Sequence, residues 1–591
     1  MCGLAGEFNY GSAPTPDVEV WRRIVERMHR RGPDAIDIWA DGHHALLGST
    51  RLAVMDPSGC ATLPLKSGDG RYVLAYNGEI YDFADMRDRL TRRGWVFRTR
   101  SDSEVVLAAL ATWGVDVLPQ FNGMFALGFY DTQARSLLLA RDVSGIKPLY
   151  AFEHAAGVLF GSELDGLLLH PGMRGSAVER ESIEMYLRLG HIPAPHGLVR
   201  GASMLEPGTW RRYAVGRVLE RGRYFAFPSS GESLLRGAEA DEAIEVALSN
   251  AVRRHLVSDV PVGVLLSGGV DSPLVAGLAA SEHSGISTFT VGTDDLRLDE
   301  SETAAAFARA FGTSHHTVSM NATDAVGLVA EVLDATCEPM ADEGMFPALA
   351  VARLASQEVT VVLTGDGSDE LFMGYVQRQL PMLGVPWDGH YGETYLRYHN
   401  DFARGDFARL FPNTAWWPQG VSPYDNVRSG MPMDWMRKTE FDAYLPFILL
   451  KADRSSMYHS LEVRVPFLDQ EVIRVALRID PSHLLDAGTG LGKLPLRRLL
   501  RRLSGLDTPG KRGFTVPMDD WIRGPLREVT YHALHSLRGL EEVEVDRDEV
   551  GKLFARHCTG QVDAGMALWR LVLLDLWFGK VHDIRAAIGR P

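Results

Sequence analysis

The sequence predicts a protein of two domains, an α+β domain followed by an α/β domain that is built on a parallel sheet. With 591 residues, the chain is too long for one hydrophobic core and is expected to form two or three domains. Its first part contains short runs typical of β-strands, separated by turn residues and interrupted by helical patterns. Its second part alternates long helical segments with short valine-rich runs, which is typical of parallel strands covered by helices.

Changes in this pattern predict the domain boundaries. The α+β domain is placed at residues 1–215, where runs such as YVLAYNGEIY and MFALGFYD indicate a sizeable sheet core. Residues 216–238 contain Pro, Ser and Gly and are predicted to form a linker. The α/β domain is expected over residues 239–591, with strands such as VPVGVLL and VTVVLTG. Within it, residues 375–445 are predicted to form an irregular helical cap that contains Trp387, Trp416, Trp417 and Trp435.

Charge and cysteine content argue against several classes of protein. Lys and Arg number 61 against 76 Asp and Glu, a net charge of −15 without a basic tract, so nucleic-acid binding is not expected. The four cysteines, at positions 2, 60, 337 and 558, fit a reducing compartment. No signal peptide is expected, and the apolar runs are too short to span a membrane. The sequence therefore predicts a soluble, cytoplasmic protein.

A phosphate-binding loop is predicted where the stretch VPVGVLLSGGVDSPLVAGLAA changes from strand to helix. Glycines let the backbone approach an anion, and a helix start offers N–H groups and the positive end of its dipole. No Walker A sequence occurs, so γ-phosphoryl transfer is not expected. SGGVDS instead resembles the PP-loop of ATP pyrophosphatases, which bind the β,γ-pyrophosphate as a leaving group. The alternative is an ordinary strand–turn–helix; the loop residues are Ser267, Gly268, Gly269, Asp271 and Ser272.

A second, acidic loop follows the next buried strand, in VTVVLTGDGSDELFMGY. Asp366, Asp369 and Glu370 come at the carboxyl end of a predicted parallel strand, where α/β sheets bind their ligands. Carboxylates that face a triphosphate need a divalent cation between them, and oxygen ligands suit Mg²⁺. We therefore predict Mg²⁺ at Asp271 and Asp369. The alternative, a solvated turn with helix-capping acids, explains one aspartate but not three acids among glycines.

The chain begins MCGLAG, with a cysteine directly behind the initiator methionine. Removal of Met1 would leave the Cys2 thiol beside a free α-amino group. An α-amine titrates near ~8 and a thiol near ~8.5, so the two groups can exchange a proton at little cost. Activation of a nucleophile by an N-terminal amine is an established scheme. The alternative is that this cysteine follows the start codon without a role.

Motifs along nearly the whole chain resemble the glutamine-dependent asparagine synthetase family. In order, they are MCGLAG, RRGPD, RLAVMD, YNGEIYD, SDSE, FNGMFA, GIKPLY, FGSE, SGGVDS, GDGSDELF, DRSSM, SLEVRVPFLD and GKLPLR. The resemblance implies a class II glutamine amidotransferase domain, which is an N-terminal-nucleophile hydrolase with a layered αββα sandwich. It implies that the second domain is an ATP-dependent synthetase with an adenine nucleotide α-hydrolase-like PP-loop fold.

The resemblance assigns roles in glutamine hydrolysis. Cys2 would attack the side-chain amide, and its own α-amino group would carry the proton. The oxyanion donors would be the Asn77 side chain and the Gly78 backbone N–H, each worth roughly 3 kcal/mol. Arg51 would contact the α-carboxylate of glutamine, which suits a guanidinium fork. Asp102 would contact the α-ammonium, and Glu79 would lie beside the bound amino acid. The structural alternatives are a surface position for Arg51, an ordinary Asn-Gly turn at Asn77 and Gly78, and a helix-capping role for Asp102.

In the second domain the resemblance assigns ATP contacts and two catalytic residues. Lys493 in GKLPLR would stabilise charge during formation or breakdown of the adenylate, although a lone lysine in a glycine-rich loop is usually solvated. Asp366 matches the acidic residue that governs adenylate formation. The further ATP contacts fall on Leu265, Val291, Thr364 and Gly365.

The reaction implied by the resemblance uses two sites and no organic prosthetic group. Glutamine gives glutamate and ammonia in the first domain. In the second, ATP with Mg²⁺ adenylates an acceptor carboxylate and releases pyrophosphate, and ammonia then displaces AMP to give the amide. Ammonia must avoid bulk water, so an apolar passage between the domains is implied. The partners are small molecules, namely glutamine, ATP and the acceptor acid, and a homodimer is compatible with the resemblance.

Departures from the family pattern concern the acceptor. Asp366 replaces a glutamate that is frequent in aspartate-using members, and Met373 interrupts a Gly-Gly pair. Phe447 and Ile448 stand where many relatives have acidic residues. L-Aspartate is the first expectation for the acceptor, and an acid of specialised metabolism is the second.

Three other functions compete with this hypothesis. A β-lactam-synthetase-like enzyme would close an internal amine onto the adenylate, but such proteins lose the N-terminal cysteine. An aminosugar-phosphate synthase would share the first domain and carry a sugar isomerase, which SGGVDS contradicts. A non-catalytic regulatory homologue would show decayed motifs, whereas the motifs here are intact.

Overall fold

Three β-sheets form the framework of the chain in a computed structural model. Elements are numbered in chain order. The structure describes residues 2–11, 18–59, 61–215, 217–227, 234–387, 391–397, 402, 404–414, 432–507 and 515–588. Cys60, Trp416 and Trp417 therefore lie outside the described residues.

Two antiparallel sheets of six strands each form the first domain. The first sheet has the order β10-β8-β9-β1-β3-β2 and the second has the order β12-β11-β7-β6-β5-β4. The strands of the first sheet are β1 (Cys2–Asn9), β2 (Ala35–Ala40), β3 (Ala45–Arg51), β8 (Tyr150–His154), β9 (Gly157–Gly161) and β10 (Ala202–Met204). Those of the second are β4 (Leu65–Lys66), β5 (Tyr72–Ile80), β6 (Gly123–Asp131), β7 (Ser136–Arg141), β11 (Thr209–Ala214) and β12 (Arg217–Arg223).

The two sheets pack face to face. Successive residues of a strand point to opposite faces, so a strand with apolar residues at both sets of positions packs against the other sheet and against the outer helices. In β1, Leu4 and Phe8 enter the core between the sheets, whereas Ala5 faces the helices outside. One helical layer covers the second sheet and another covers the first, which confirms the predicted αββα sandwich. These helices are α1 (Val18–Glu26), α2 (Phe83–Thr91), α3 (Asp102–Trp113), α4 (Leu164–Leu167) and α5 (Arg180–Leu189).

The third sheet is entirely parallel and has the order β15-β14-β13-β16-β17, as the valine-rich runs predict. The chain starts at the central strand β13, builds outward to β15, and then crosses to β16 on the other side. This reversal places a crevice at the carboxyl ends of β13 and β16, which is where open α/β sheets bind ligands. The strands are β13 (Val262–Leu265), β14 (Ser287–Thr293), β15 (Ser314–Met320), β16 (Val361–Leu363) and β17 (Glu462–Arg464).

Helices surround this sheet; some share one apolar core with its strands, and others pack in a second core with the outer helices of the first sheet. The first six are α6 (Gly237–His255), α7 (Asp271–Glu282), α8 (Ser301–Phe311), α9 (Ala322–Ala335), α10 (Met345–Ala355) and α11 (Ser368–Leu371). In the predicted cap, the described part is helical and contains α12 (Val376–Met382), α13 (Tyr391–Leu396), α14 (Arg404–Leu410), α15 (Pro432–Thr439) and a π-helical turn at Glu440–Tyr444. The remaining helices are α16 (Leu445–Met457), α17 (Gln470–Arg478), α18 (Leu494–Ser504), α19 (Met518–Arg523), α20 (Arg527–Ser536), α21 (Arg547–Cys558) and α22 (Gly565–Ile588).

The segment predicted as a linker differs in part from that expectation. Strand β12 begins at Arg217 and pairs with β11, so the second sheet of the first domain extends past residue 215. Helix α6 begins at Gly237, close to the predicted start of the α/β domain. The alternation in β12, RVLERGR, is weak because it lies at a sheet edge, and this explains why the sequence pattern did not reveal it.

Helix α16 connects the two domains through buried ion pairs. Asp453 accepts two hydrogen bonds from the Arg31 guanidinium, at 2.8 and 3.0 Å, and lies 3.4 Å from the Lys147 ammonium. The next residue, Arg454, pairs with Glu163 at 3.1 Å. Burial raises the pKa of Asp453, but the charges of Arg31 and Lys147 outweigh it and hold that pKa well below its usual range. The carboxylate is thus ionised at neutral pH.

Asp453→Ala is expected to destabilise the contact between the domains strongly. It removes the carboxylate that contacts Lys147 and leaves Arg31 only the more distant Glu163, at 3.6 Å. Breaking a buried pair typically costs about 3–5 kcal/mol. Urea unfolding followed by circular dichroism measures the change in midpoint. Glu19→Ala is the control, because it removes an exposed partner of Arg22 and should change stability by less than about 0.5 kcal/mol. Equal midpoint shifts in the two variants would contradict the assignment.

Candidate active sites

Cys2 lies at the start of β1, at one end of the αββα sandwich. It pairs with Arg51 of β3, its backbone N–H donates to Asn77 Oδ1 at 3.2 Å, and its carbonyl accepts from Arg31 Nε at 3.3 Å. Burial raises the pKa of the thiol, while a hydrogen bond from the Leu52 backbone and the charge of Arg51 lower it. The thiol therefore requires a base close by before it can act as a nucleophile.

Asn77 and Gly78 occupy β5 beside this cysteine. The Asn77 side chain is fully buried, and its Nδ2 has no hydrogen-bond partner in the described part of the chain. A buried donor without an acceptor is costly, so its position indicates a group that arrives during the reaction. At Gly78, a Cβ would lie 2.2 Å from the Met124 carbonyl oxygen, so only glycine allows β5 and β6 to pair here.

Two carboxylates accompany the cysteine site. Asp102 begins α3 and accepts hydrogen bonds from the Tyr76 hydroxyl at 3.0 Å and the Ile80 N–H at 3.1 Å. Burial raises its pKa to about 6, although both hydrogen bonds oppose the shift. Burial, Asp102 and Glu462 raise the pKa of Glu79 well above its usual range. The two acids thus share a water-poor pocket in which ionisation of both is unfavourable unless a cation is present.

Arg51 extends from the end of β3 and is held by a loop. Its Nη2 donates to the carbonyl oxygens of Met55 at 3.1 Å and Asp56 at 2.7 Å. The structure brings together the residues predicted for glutamine hydrolysis, at the adjacent ends of β1, β3, β5 and α3; they are Cys2, Arg51, Asn77, Gly78, Glu79 and Asp102.

The predicted phosphate loop leaves β13 and enters α7. The Ser267 N–H donates to Ser272 Oγ at 2.8 Å, and the Gly269 N–H donates to Ser267 Oγ at 3.2 Å. The Gly268 N–H donates to Glu300 Oε2 at 3.1 Å. These bonds fold the loop into a tight turn over the start of the helix, as an anion site requires.

The second loop follows β16 and touches the first. A Cβ at Gly365 would lie 2.6 Å from Asp271 Cβ and 2.7 Å from the Ser272 nitrogen, so glycine permits this close approach. The Ser368 hydroxyl donates to Asp271 at 2.6 Å. Thr364 Oγ1 donates to Asp366 at 2.9 Å, and burial raises the pKa of that carboxyl.

Lys493 lies between the two loops and is 4% exposed, in contrast to a solvated lysine. Its ammonium contacts Asp271 at 2.5 Å and Asp369 at 2.7 Å. Burial lowers its pKa, but the two carboxylates outweigh burial and raise it above the usual value. The structure thus places a fixed positive charge beside both acids that the sequence assigns to Mg²⁺.

These residues line a cavity of about 740 Å³. Its walls include every residue predicted to contact ATP except Gly268, whose N–H is directed to Glu300. One wall consists of α16, from which Phe447, Ile448 and Lys451 face the cavity. Further predicted residues in the lining are Leu265, Val291, Thr364, Gly365, Asp366, Asp369 and Lys493.

The cavity offers carboxylate oxygens as ligands for Mg²⁺. Within the described ranges, no group of three or more His, Cys, Asp or Glu side chains is arranged to hold a metal ion by itself. Asp271 faces the cavity from the start of α7, and Asp369 faces it from α11. Because Mg²⁺ usually takes one or two carboxylates together with phosphate oxygens and water, this pair fits an ion that arrives with ATP.

Three residues that lie at the sites have no role predicted from the sequence. Glu300 accepts from the phosphate loop, and Glu462 and Arg464 of β17 reach the glutamine side from the other domain. An acid near a helix start after a parallel strand could have indicated Glu300. The motif SLEVRVPFLD contains the other two, but no pattern in one sequence reveals a contact with a distant domain.

Comparison with known proteins identifies both halves of the chain. The family model described as asparagine synthase matches residues 243–579, and the model described as glutamine amidotransferase domain matches residues 1–225. A Mycobacterium tuberculosis relative is 32% identical over 96% of this chain and 95% of its own length. The chain belongs to the asparagine synthase family.

Two further relatives match along nearly their whole length. Asparagine synthetase (glutamine-hydrolyzing) 1 of Bacillus subtilis is 26% identical over 98% of this chain and 96% of its own. Amidase chry2 of Gibberella zeae is 25% identical over 100% of both chains. The chain is therefore a ligase of the glutamine-dependent amidotransferase type that uses ATP. None of the described helices has the length and apolar character of a membrane span.

Gly365→Ala is expected to weaken ATP binding by about 5- to 150-fold, because overpacking of about 1–3 kcal/mol at the loop contact would displace Asp271 and Ser272. Calorimetric titration with ATP measures the effect. The matched control is Gly327→Ala in α9, where a Cβ meets nothing within 4 Å, and its affinity should equal that of the unmodified protein. Unchanged affinity in Gly365→Ala would show that the two loops do not form one site.

Proposed function

We propose that this asparagine synthase family member converts a carboxylic acid into its amide, with nitrogen from glutamine and activation as an acyl-AMP. The single observation that carries the proposal is the pairing of two built sites across one domain boundary. One has a buried thiol beside an amide donor that has no partner among the described residues, and the other has two touching loops around a buried lysine. A binding protein has no need of either arrangement.

Glutamine hydrolysis follows from the surroundings of Cys2. With Met1 removed, the Cys2 nitrogen is the α-amine, which accepts the thiol proton before sulfur attacks the side-chain amide carbon. The negative charge on the amide oxygen is then stabilised by Asn77 Nδ2, which has no other partner in the described residues, and by the Gly78 N–H. The amine passes its proton to the departing ammonia, and water hydrolyses the thioester to glutamate.

Acid activation follows from the loops at the switch point of the parallel sheet. The Ser267–Ser272 turn and the start of α7 would bind the pyrophosphate of ATP, which departs as the acceptor carboxylate attacks the α-phosphorus. Lys493 offers a fixed ammonium that stabilises the charge developing there. Asp271 and Asp369 would hold Mg²⁺ against the phosphate oxygens, and the bound ion would neutralise the pyrophosphate leaving group.

Ammonia needs a dry route between the sites, and the domain boundary offers one. Leu52, Val54, Met124 and Ile146 of the first domain are buried within the same apolar core as Leu266 beside the phosphate loop. Apolar side chains from both domains thus extend from the neighbourhood of Cys2 toward the cavity. A passage lined in this way would neither protonate ammonia nor hydrogen-bond it strongly.

L-Aspartate is the first candidate for the acceptor, and asparagine biosynthesis would then be the role. The second candidate is an acid with an apolar body, because Phe447 of the cavity wall is buried and stacks on His191 with ring centroids 4.2 Å apart. Burial lowers the pKa of His191 to about 4, so its imidazole is uncharged at neutral pH. Overall similarity favours the first candidate, because the relative named as a putative asparagine synthetase is 32% identical to this chain and the amidase is 25% identical.

ATP–pyrophosphate exchange against a panel of carboxylic acids tests the proposal. We expect exchange that depends on one acid, with AMP and the amide as products when glutamine is added. Exchange with aspartate supports the first candidate, and exchange with an aromatic or aliphatic acid alone supports the second. Conversion of ATP to ADP, or no exchange with any acid, would contradict the acyl-AMP mechanism. Cytoplasmic location is part of the proposal and fits the unpaired thiols of Cys2, Cys337 and Cys558.

Cys2→Ala is expected to abolish glutamine-dependent amide formation, by at least about 10³-fold, while synthesis from ammonium chloride continues. The reason is that the substitution removes the attacking sulfur and leaves the cavity of the other domain unchanged. Glutamate release and amide formation measure the two activities separately. Cys558→Ala, which removes a half-buried thiol in α21, serves as the control and should retain both. Glutamate release by Cys2→Ala at the unmodified rate would overturn the assignment of the nucleophile.

A further inference from the structure

Strand β17 of the synthetase sheet contacts both sites. Its last residue, Arg464, pairs in parallel with Leu363 of β16. The Arg464 carbonyl accepts a hydrogen bond from the Thr364 N–H at 3.0 Å. Thr364 in turn holds Asp366 in the cavity through its hydroxyl. The backbone of Arg464 therefore directly supports the loop that follows β16, which we call the ATP loop.

The side chain of Arg464 extends in the opposite sense, toward the amidotransferase domain. Its guanidinium is 1% exposed, and Nε donates to Glu462 Oε1 at 2.6 Å. Nη1 donates to the carbonyl oxygens of His255 at 2.8 Å and Val257 at 2.6 Å, at the carboxyl end of α6. A cation is favoured at this end of a helix because the unpaired carbonyls carry partial negative charge. Three contacts thus fix the plane of the guanidinium.

The remaining nitrogen of that fork, Nη2, lies 3.9 Å from Glu79 Oε1. It has no hydrogen-bond partner among the residues that the structure describes. Buried N–H groups of charged side chains rarely stay without an acceptor, because the lost hydration is not replaced. A small movement of Glu79 would bring its carboxylate within hydrogen-bond distance of Nη2, so the geometry points to Glu79 as the group that this nitrogen serves.

Glu79 needs such a cation. Burial, Asp102 and Glu462 disfavour its charge, and Arg464 and the amino terminus that precedes β1 favour it. The Tyr76 and Tyr81 hydroxyls also face this group. Among the side-chain cations, Arg464 most strongly favours the ionised form of Glu79, and it comes from the other domain.

We propose that Arg464 is a positioning residue for glutamine hydrolysis, which holds Glu79 toward the bound glutamine from across the domain boundary while its carbonyl supports the ATP loop. The inference rests on the proposed function, because it takes glutamine to bind beside Cys2 with Glu79 next to it. Displacement of the loop that follows β16 would then be transmitted to Glu79 through one residue, because the carbonyl of Arg464 makes one contact and its side chain makes the other.

Glutamate release from glutamine, measured against pH, tests this role. In Arg464→Gln we expect the KM for glutamine to rise about tenfold, with a smaller change in kcat. Loss of the cation also disfavours ionised Glu79, so the acid limb of kcat/KM should move to higher pH. Arg464→Lys keeps the charge but not the fork, so its acid limb should stay in place while KM rises several-fold. The double variant Arg464→Gln/Glu79→Gln should be no worse than Glu79→Gln alone.

The matched control is Arg437→Gln. Arg437 is also a buried arginine of the synthetase domain, and it donates to the carbonyls of Leu371 and Ala476 without facing the glutamine pocket. Its KM for glutamine should stay unchanged. Multiplying losses in the double variant, or an equal rise of KM in Arg437→Gln, would overturn the inference. If Arg464→Gln does not fold, an unmodified KM in Arg464→Lys overturns it. No glutamate release by the unmodified protein would overturn the proposed function itself.

Discussion

Burial of charge at the boundary between the two domains is the constraint on which the rest of the structure depends. A charged group that leaves water costs several kcal/mol unless an opposite charge meets it in good geometry. Here the partner often comes from the other domain, as with Arg31 on Asp453 and Arg454 on Glu163. Asp453 and Arg454 of α16 receive these opposite charges from the first domain, so the boundary forms as a unit. The two sites are therefore held at a fixed separation and orientation.

Close approach of loops is the second constraint. At the carboxyl edge of the parallel sheet, the segments after β13 and β16 come within contact of each other only because Gly365 has no side chain. Asp271 and Asp369 then face the same ammonium, Lys493, which lies in the left-handed region with φ of 57°. That strained backbone persists because the surrounding contacts determine it, as is typical of functional positions. Three separate segments thus produce one charged centre.

Much of this could be predicted from the sequence, because the informative residues occur in short continuous motifs. Cys2, the SGGVDS turn and the acidic GDGSDE turn each follow a recognisable strand or chain end, so their placement follows from local pattern and sheet topology. The burial of Lys493 was not predictable, since a lysine in a glycine-rich loop is usually solvated. Nor was the contact of Arg464 with Glu79, because it joins residues of different domains. Strand β12 escaped because edge strands alternate weakly.

Helix α16 has a consequence for any attempt to redesign this enzyme. Phe447, Ile448 and Lys451 face the cavity from one side of the helix, and Asp453 pairs with Arg31 beside Cys2 from the other. Each residue of an α-helix advances by about 100° around the axis. Inserting or deleting one residue between Lys451 and Asp453 would therefore rotate Asp453 by about 100° relative to the side of the helix that faces the cavity. Specificity can evolve here through exchange of side chains on a fixed backbone, whereas a change of length would disconnect nitrogen supply from the reaction that consumes it.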